Sequence, residues 1–316
     1  MSMTSRRVGI VGAGAVGATA AYTLAIMGTC NEIILYDISA GVAKGKAIDI
    51  EQATSHSDRG VTVSAADAPS DMKDCDIVVV TAGVPRKGDM TRADLLNINA
   101  KIIAEVTNNI KTYSPNAIII CVSNPLDVMT YVMHKLTGWD RNRIIGMAGA
   151  LDGARMSYQI QKKVGYGSGQ IKSLVIGDHG EHMIPYPAIS TVGGIPLPQL
   201  IGETDMDEIS QKTKVGGAEI VSHLKTSGFY APGRSVAVMV EAILNDSKAV
   251  ISSSVLLDGE YGYKGVTLGV PVVLGANGAE KIIELELDEK MKGKIETSVK
   301  SIQENIKILE DEGFFS

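Results

Sequence analysis

Arg86 and Arg92 stand six residues apart in Gly83-Val-Pro-Arg-Lys-Gly-Asp-Met-Thr-Arg92, directly after the apolar run Asp76-Ile-Val-Val-Val-Thr81. A guanidinium is a planar fork that grips a carboxylate through two parallel hydrogen bonds. Two of them flanking a Gly/Pro segment suit a small anion with more than one charge. Five histidines occur, His56, His134, His179, His182 and His223. His179 is the one best placed for proton transfer. It follows Leu174-Val-Ile176 in Gly177-Asp-His-Gly180, where a strand ends and the chain turns. An imidazole at such a strand end titrates near neutral pH and suits a general acid or base. The competing reading is a turn histidine with no role. Asp152 and Arg155 stand three apart in Leu151-Asp-Gly-Ala-Arg155. On a helix they share a face, so they either point into one site or form a surface ion pair contributing ~0.2–0.5 kcal/mol. Asn124, in Val122-Ser-Asn-Pro125, follows the run Ala117–Val122. Ligands of open parallel sheets sit at such carboxyl ends of strands. The rival role for Asn124 is a helix N-cap, with Pro125 suited to the first turn.

A second set of residues suits a dinucleotide. Gly12-Ala-Gly14-Ala-Val-Gly17 follows the run Val8–Val11 and opens an apolar helix. Gly12 permits a tight turn, Gly14 lets backbone approach a pyrophosphate, and Gly17 lets helix and strand pack closely. Asp37 ends the next strand, twenty residues past Gly17, where an acid bonds the adenosine ribose hydroxyls and repels a 2′-phosphate. No Arg or Lys follows until Lys44. NAD is therefore expected over NADP.

These residues need a parallel sheet to hold them. Short apolar strands are expected at Val8–Val11, Glu32–Asp37, Val61–Ala65, Asp76–Thr81, Ala117–Val122 and Arg143–Met147. Helical patterns lie between several of them. The one from Thr91 carries Leu95, Ile98, Ile102, Val106, Ile110 and Tyr113 at spacings of three and four. Strand–helix alternation with unalternating β-branched strands predicts a doubly wound α/β sheet of the Rossmann type. Thr91-x-x-Asp94 has the form of a capping box, which puts Arg92 in the first helical turn. A cation there opposes the helix dipole by ~0.3–1 kcal/mol unless an anion sits beside it. The second half reads as α+β: a helix from Asp152, strand-like Ile171–Ile176, and a helix capped near Thr204 and kinked at Gly216-Gly217. Strand-like Ser253–Leu257 and Val266–Leu274 follow, then a last helix with Met291, Ile295, Val299, Ile302, Ile306 and Leu309 on one face. The boundary falls near residue 148, giving a dinucleotide-binding domain over 1–148 and a substrate domain over 149–316.

Composition narrows the function. The chain has 316 residues, 45% of them apolar, and a formal net charge of -6. That charge argues against nucleic acid, so an anion site must be built locally from a few placed cations. Cys30, Cys75 and Cys121 are scattered, with no C-x-x-C pair. They read as buried thiols of a reducing, cytoplasmic compartment. Arg6-Arg7 before Val8–Met27 has the look of an export signal, but Gly9, Gly12, Gly14 and Gly17 interrupt it. No run reaches the ~18 apolar residues of a membrane span. Asp178-His179-Gly-Glu181-His182 fits no zinc spacing and has no nearby cysteine, so no metal is expected.

Taken together, the segments Gly12–Gly17, Asp37, Val84-Pro-Arg-Lys87, Thr91-Arg92, Ser123-Asn-Pro125, Leu151-Asp-x-x-Arg155 and Gly177-Asp-His-Gly180 resemble the lactate/malate dehydrogenase family along essentially the whole chain. Within it, the resemblance is strongest to lactate-dehydrogenase-like malate enzymes that use NAD. It implies that His179 exchanges the proton of the substrate hydroxyl and that Asp152 orients its imidazole. Asp178 is a rival orienter, but neighbouring side chains on an extended segment point to opposite faces. The resemblance further implies that Arg155 grips the 1-carboxylate, that Arg92 polarises the carbonyl oxygen, and that Asn124 helps hold that oxygen. It places cofactor contacts at Gly12, Gly14, Ala15, Val16, Gly17, Asp37, Thr81, Ala82, Gly83, Asn99, Val122 and Asn124. Arg86 stands where malate enzymes carry Arg and most lactate enzymes carry Gln. A desolvated Arg without its partner costs ~2–5 kcal/mol, a factor of ~30 to ~4,000, so this one position can select a dicarboxylate. A homotetramer is implied, with a homodimer as alternative.

Two departures bear on this reading. Gly88-Asp89 replaces the family's usual Pro-Gly, and Arg234 stands in Ala231-Pro-Gly-Arg234 where malate enzymes often have Ala. The five-residue loop insertion of some parasite lactate dehydrogenases is absent. Other classes remain in view: a lactate or other 2-hydroxyacid dehydrogenase, an NAD- and metal-dependent glycosidase of similar fold, and a non-catalytic NAD sensor. Metal ligands would favour the second; the Asp152, Arg155 and His179 set argues against the third.

Overall fold

Six short runs, mostly β-branched and, apart from the edge strand β3, apolar toward both faces, form the parallel strands β1 (Arg7–Val11), β2 (Glu32–Tyr36), β3 (Thr62–Ala65), β4 (Ile77–Val80), β5 (Ile118–Cys121) and β6 (Ile144–Gly146). Their spatial order, β3-β2-β1-β4-β5-β6, reverses direction beside β1. That reversal opens the crevice in which doubly wound sheets bind ligands. The computed structural model describes residues 6–85 and 90–315. Arg86, Lys87, Gly88 and Asp89 lie outside the described residues.

The intervening helices are α1 (Ala15–Met27), α2 (Ala40–Thr54), α3 (Arg92–Tyr113) and α4 (Leu126–Thr137). The second half adds α5 (Ala148–Val164), the two-residue strands β7 (Ile171–Lys172), β8 (Val175–Ile176), β9 (Ile184–Pro185), β10 (Thr191–Val192) and β11 (Ile195–Pro196), then α6 (Glu203–Leu224) and α7 (Tyr230–Leu244). The long strands β12 (Ala249–Asp258) and β13 (Lys264–Gly275), the strand β14 (Gly278–Ile282) and α8 (Glu289–Asp311) complete it. β12 joins β6 through one antiparallel pair, Ser254 with Gly146, and extends the sheet to nine strands. α3, α4 and α8 pack on one another, as do α1 with α2 and α7, and α5 with α6 and α7. These two groups cover the two faces.

Several expectations shift. The run Ile171–Ile176 is two strands: β7 pairs with β10, whereas β8 pairs with β9. α7 was not legible, because Pro232 and Gly233 stand in its first turn. There Pro232 needs no N–H partner, and a side chain at 233 would meet Thr19 of α1 at 2.6 Å. α6 starts at Glu203 and runs unbroken through Gly216 and Gly217 instead of kinking there. α8 buries all six residues of its predicted stripe. α3 has its capping box, and Val106 and Ile110 of its expected stripe are buried, but in its first half the buried residues are Leu96, Asn99, Ala100 and Ile103 in place of Leu95, Ile98 and Ile102, with polar Thr107 buried further on. Ile102 faces the cofactor cleft instead.

Candidate active site

The dinucleotide end is a cleft of about 440 Å³, lined in part by Gly12, Gly14, Asp37, Thr81, Ala82 and Gly83. Gly12 adopts φ 99°, closed to side chains by Thr81 Oγ1, which a Cβ would meet at 2.6 Å. A Cβ at Gly17 would stand 1.9 Å from the Gly12 carbonyl oxygen. A Cβ at Gly14 would meet nothing within 4 Å. It would project into the space before α1, whose first residues, Ala15 and Val16, present backbone N–H groups that suit a pyrophosphate. Asp37 is half-buried. Its Oδ2 accepts from Ala13 N–H at 2.8 Å and its Oδ1 from Ser39 N–H at 2.9 Å. A carboxylate has about four lone-pair sites, so two remain for ribose hydroxyls. Ile38, beside it, is 98% exposed and offers an apolar platform at the cleft rim. These features fit a bound NAD.

Two of the expected cofactor contacts have a use within the protein. Thr81 Oγ1 donates to the Gly12 carbonyl at 2.9 Å. Asn99 is buried; its Oδ1 accepts from Val84 N–H at 2.9 Å and its Nδ2 donates to the Asn124 carbonyl at 2.7 Å. Its amide thus ties the loops after β4 and β5 together. Val122 is half-buried against the core beside that tie.

At the other side of the site, Asp152 is the hub. It lies in the second turn of α5 and is 1% exposed. Its Oδ2 is 2.7 Å from His179 Nδ1, and its Oδ1 accepts from Arg155 Nη1 at 2.8 Å. The i,i+3 pair is therefore a buried bridge to the histidine, not a surface ion pair. Burial alone would push the imidazole of His179 down, but the charge and hydrogen bond of Asp152, with the charge of Asp127, outweigh it. Its affinity for a proton is raised, against an opposing contribution from Arg155. Asp178 makes no bond to the imidazole; its Oδ1 is buried without a partner among the described residues. The remaining members of Asp178–His182 disperse: Glu181 pairs with Arg92, and the His182 carbonyl accepts from Ser298. Among the described residues no three His, Cys, Asp or Glu side chains group as metal ligands.

Arg155 has donors to spare. Its Nε is buried with no partner among the described residues, a state that costs ~1–3 kcal/mol until an acceptor arrives. Gly217 of α6 makes room for it: a Cβ there would stand 3.1 Å from Arg155 Nη2. This close approach accounts for the Gly216-Gly217 pair better than a kink does. Asn124 is exposed at the carboxyl end of β5, and its side chain caps no helix; Pro125 occupies the N-cap of α4. Arg92 opens α3, 81% exposed, with Nη2 3.6 Å from Glu181 Oε2. Arg234 on α7 sends Nη1 to Met27 Sδ at 3.4 Å, toward the end of α1. The three cysteines are buried, and burial pushes their thiols up to about 12, 11 and 12 for Cys30, Cys75 and Cys121.

Sequence reasoning missed Asp127. Its Oδ2 accepts the His179 backbone N–H at 2.7 Å, and its Oδ1 accepts from the Ser254 hydroxyl at 2.6 Å. The available signal was an acid inside the apolar stretch Leu126-Asp-Val-Met-Thr-Tyr-Val-Met133.

Residues 6–146 match the NAD binding domain of lactate/malate dehydrogenase, and residues 149–312 match the alpha/beta C-terminal domain of the same family. A malate dehydrogenase of Sulfurimonas denitrificans is 54% identical over 311 residues, covering 98% of each chain. Among solved structures, the malate dehydrogenase from Salinibacter ruber superposes with a TM-score of 0.92 at 39% identity, covering 97% of this chain and 99% of its own. A minor L-lactate dehydrogenase from Enterococcus mundtii reaches the same TM-score at 30% identity, covering 96% and 98%. The shared fold thus does not separate the two substrates. With both halves matched and His179 paired to a buried Asp152, the chain belongs to the lactate/malate dehydrogenase family.

Proposed function

We propose that this chain is an NAD-dependent malate dehydrogenase that interconverts (S)-malate and NAD+ with oxaloacetate and NADH. The observation that carries the chemistry is Asp152 bridging His179 Nδ1 and Arg155 Nη1. The Asp152 bond occupies Nδ1, which leaves Nε2 as the nitrogen that exchanges a proton. In the reductive direction, Nε2–H donates to the ketone oxygen as it becomes the hydroxyl. His179 keeps its Nδ1–H throughout, donated to Asp152 Oδ2, and the carboxylate stabilises the imidazolium before transfer. Arg155 receives the 1-carboxylate on its unpaired donors. Arg92 and Asn124 hold the reacting oxygen, where fixed donors act on the charge that develops in the transition state. When bound, NAD supplies the hydride exchange with C2 of the substrate. Gly12, Gly14 and Gly17 seat its pyrophosphate, and Asp37 takes the ribose.

Arg86 selects the second carboxylate of malate and oxaloacetate; lactate and pyruvate offer only a methyl there. Three relatives named malate dehydrogenase, at 54%, 48% and 46% identity, support that choice. We assign cofactor binding to residues 1–148 and substrate binding to 149–316, and a place in the cytoplasm within the tricarboxylic acid cycle. A homotetramer, or alternatively a homodimer, would cover exposed apolar side chains such as Val215, Val221 and Leu224 of α6 and Tyr230 of α7. Among the described residues no helix is long and apolar enough to cross a membrane. NADH oxidation measured side by side with oxaloacetate and pyruvate tests the reading. Faster reduction of oxaloacetate is expected; faster reduction of pyruvate would assign a lactate dehydrogenase instead.

A further inference from the structure

Resting on that reading of His179, we infer that Asp127 is a positioning residue for the proton-transfer histidine. Its carboxylate fixes the His179 main chain and places a second negative charge behind the imidazole.

Asp127 stands in the first turn of α4, three residues after Asn124, and is 5% exposed. Each of its oxygens has a partner from a different part of the chain. Oδ2 accepts the His179 N–H, and Oδ1 accepts the Ser254 hydroxyl of β12. The main-chain oxygen accepts from Thr267 of β13 at 2.7 Å. One helix start therefore carries Asn124 toward the substrate oxygen and also grips the residue that exchanges the proton. Asp152 sets the direction of the ring; Asp127 sets the position of the backbone from which the ring hangs.

The charge on Asp127 follows from its partners. Asp127 and Asp178 are neighbouring buried carboxyls, and like charges so placed do not both ionise easily. Burial pushes both upward, Asp178 to about 7, with the charge of Asp127 the next cause there. Asp127 receives two donors, whereas Asp178 receives the His182 backbone N–H and its Oδ1 has no partner among the described residues. Hydrogen bonds to the charged form favour it. Asp127 is thus the better stabilised of the two as a carboxylate, and Asp178 keeps its proton up to about pH 7. The charged groups facing His179 are Asp152 and Arg155 from α5, Asp127 from α4, and Asp178 beside it in the chain.

Asn at position 127 separates charge from bonding. Its amide oxygen can still accept the His179 N–H, and its amide nitrogen can donate to the Ser254 hydroxyl. The test compares the full-length wild type with Asp127→Asn and Asp127→Ala. The His179 imidazole is titrated by NMR on histidine-labelled enzyme, and kcat and KM are measured across pH. In Asp127→Asn the imidazole pKa is expected to fall by about one unit. The high-pH limb of 2-oxoacid reduction should move down with it, with NADH affinity unchanged. In Asp127→Ala, kcat is expected to fall roughly 10- to 100-fold with KM nearly unchanged, as a misplaced catalytic group produces. A wild-type titration in Asp127→Asn would overturn the inference, because a neutral, purely structural carboxyl predicts it. If Asp127→Ala does not fold, the Asn variant decides alone. A wild type that ignores oxaloacetate would remove the proposed substrate, while the NMR titration would still decide this inference.

Discussion

The two walls of the proposed substrate site are built differently. On the α5 wall, His179, Asp152 and Arg155 are joined by bonds of 2.7 and 2.8 Å, and Asp152 is 1% exposed. On the α3 wall, Arg92 is 81% exposed and its contact with Glu181 is a long 3.6 Å. An exposed pair of this kind contributes little to stability. The difference follows from what each wall has to do. An imidazole must have one tautomer and one orientation before substrate arrives, which needs a buried, fully bonded carboxylate. A cation that meets an incoming oxygen must be free to exchange Glu181 for it at little cost.

The largest effect should come from the α5 wall. Asp152→Asn keeps the size of the hub but removes its charge and offers His179 the wrong hydrogen-bonding pattern. By the measure of other histidine–aspartate dyads, kcat for oxaloacetate reduction should fall about 10³- to 10⁴-fold. NADH binding, followed by fluorescence titration, should be unchanged, since the cofactor cleft is formed by β1, β2, β4 and α3. A loss below tenfold would mean that the buried hub does not govern proton transfer, and the contrast between the walls would collapse.

The next effect belongs to Arg86, six residues before Arg92 in the sequence. Arg86→Gln should lower the ratio of kcat/KM for oxaloacetate over pyruvate by ~30- to ~4,000-fold, the cost of an unpartnered charge. If this side only recognises substrate, melting temperature should not move. A variant that keeps its preference would shift selection to the Arg155 side or to other residues of the pocket.

The contrast between the walls also explains what the sequence made readable. Motif residues whose job depends on local geometry were legible: Gly12, Gly14, Gly17 and Asp37 sit where a strand-turn-helix must put them, and Thr91 and Asp94 form their capping box within four residues. The six parallel strands read correctly because buried β-branched runs have few alternatives. The partnership of His179 with Asp152 spans 27 residues and rested on family resemblance. The choice between core burial and a surface pair had no local answer. Asp127 was missed for the same reason: its partners, Ser254 and His179, are 127 and 52 residues away. β7 to β11 are two residues each, too short to carry a period.

The smallest predicted effect compares two buried titratable groups, one beside the active site and one remote from it. Asp178 is raised by burial to about 7, so between pH ~4 and 7 the native state holds a proton that the unfolded chain has lost. Stability contributed there is present at low pH and drains away as pH rises through that window. His134, inside α4 with no partner for Nε2 among the described residues, is lowered by burial to about 4. Between pH ~4 and 6.5 the unfolded chain binds the extra proton, so stability drains away as pH falls. At about 1.4 kcal/mol per unit, the parts of the windows above pH 5, about two units for Asp178 and about one and a half for His134, are each worth roughly 2–3 kcal/mol. Urea unfolding at pH 5 and pH 8 should therefore show opposite signs. Asp178→Asn should gain most over wild type at pH 8, and His134→Gln should fare best relative to wild type at pH 5. If Asp178→Asn gained nothing at pH 8, the Asp178 carboxyl would ionise in the native state as readily as in the unfolded chain. Asp127 would then have lost the neutral neighbour that lets it keep its own charge behind His179.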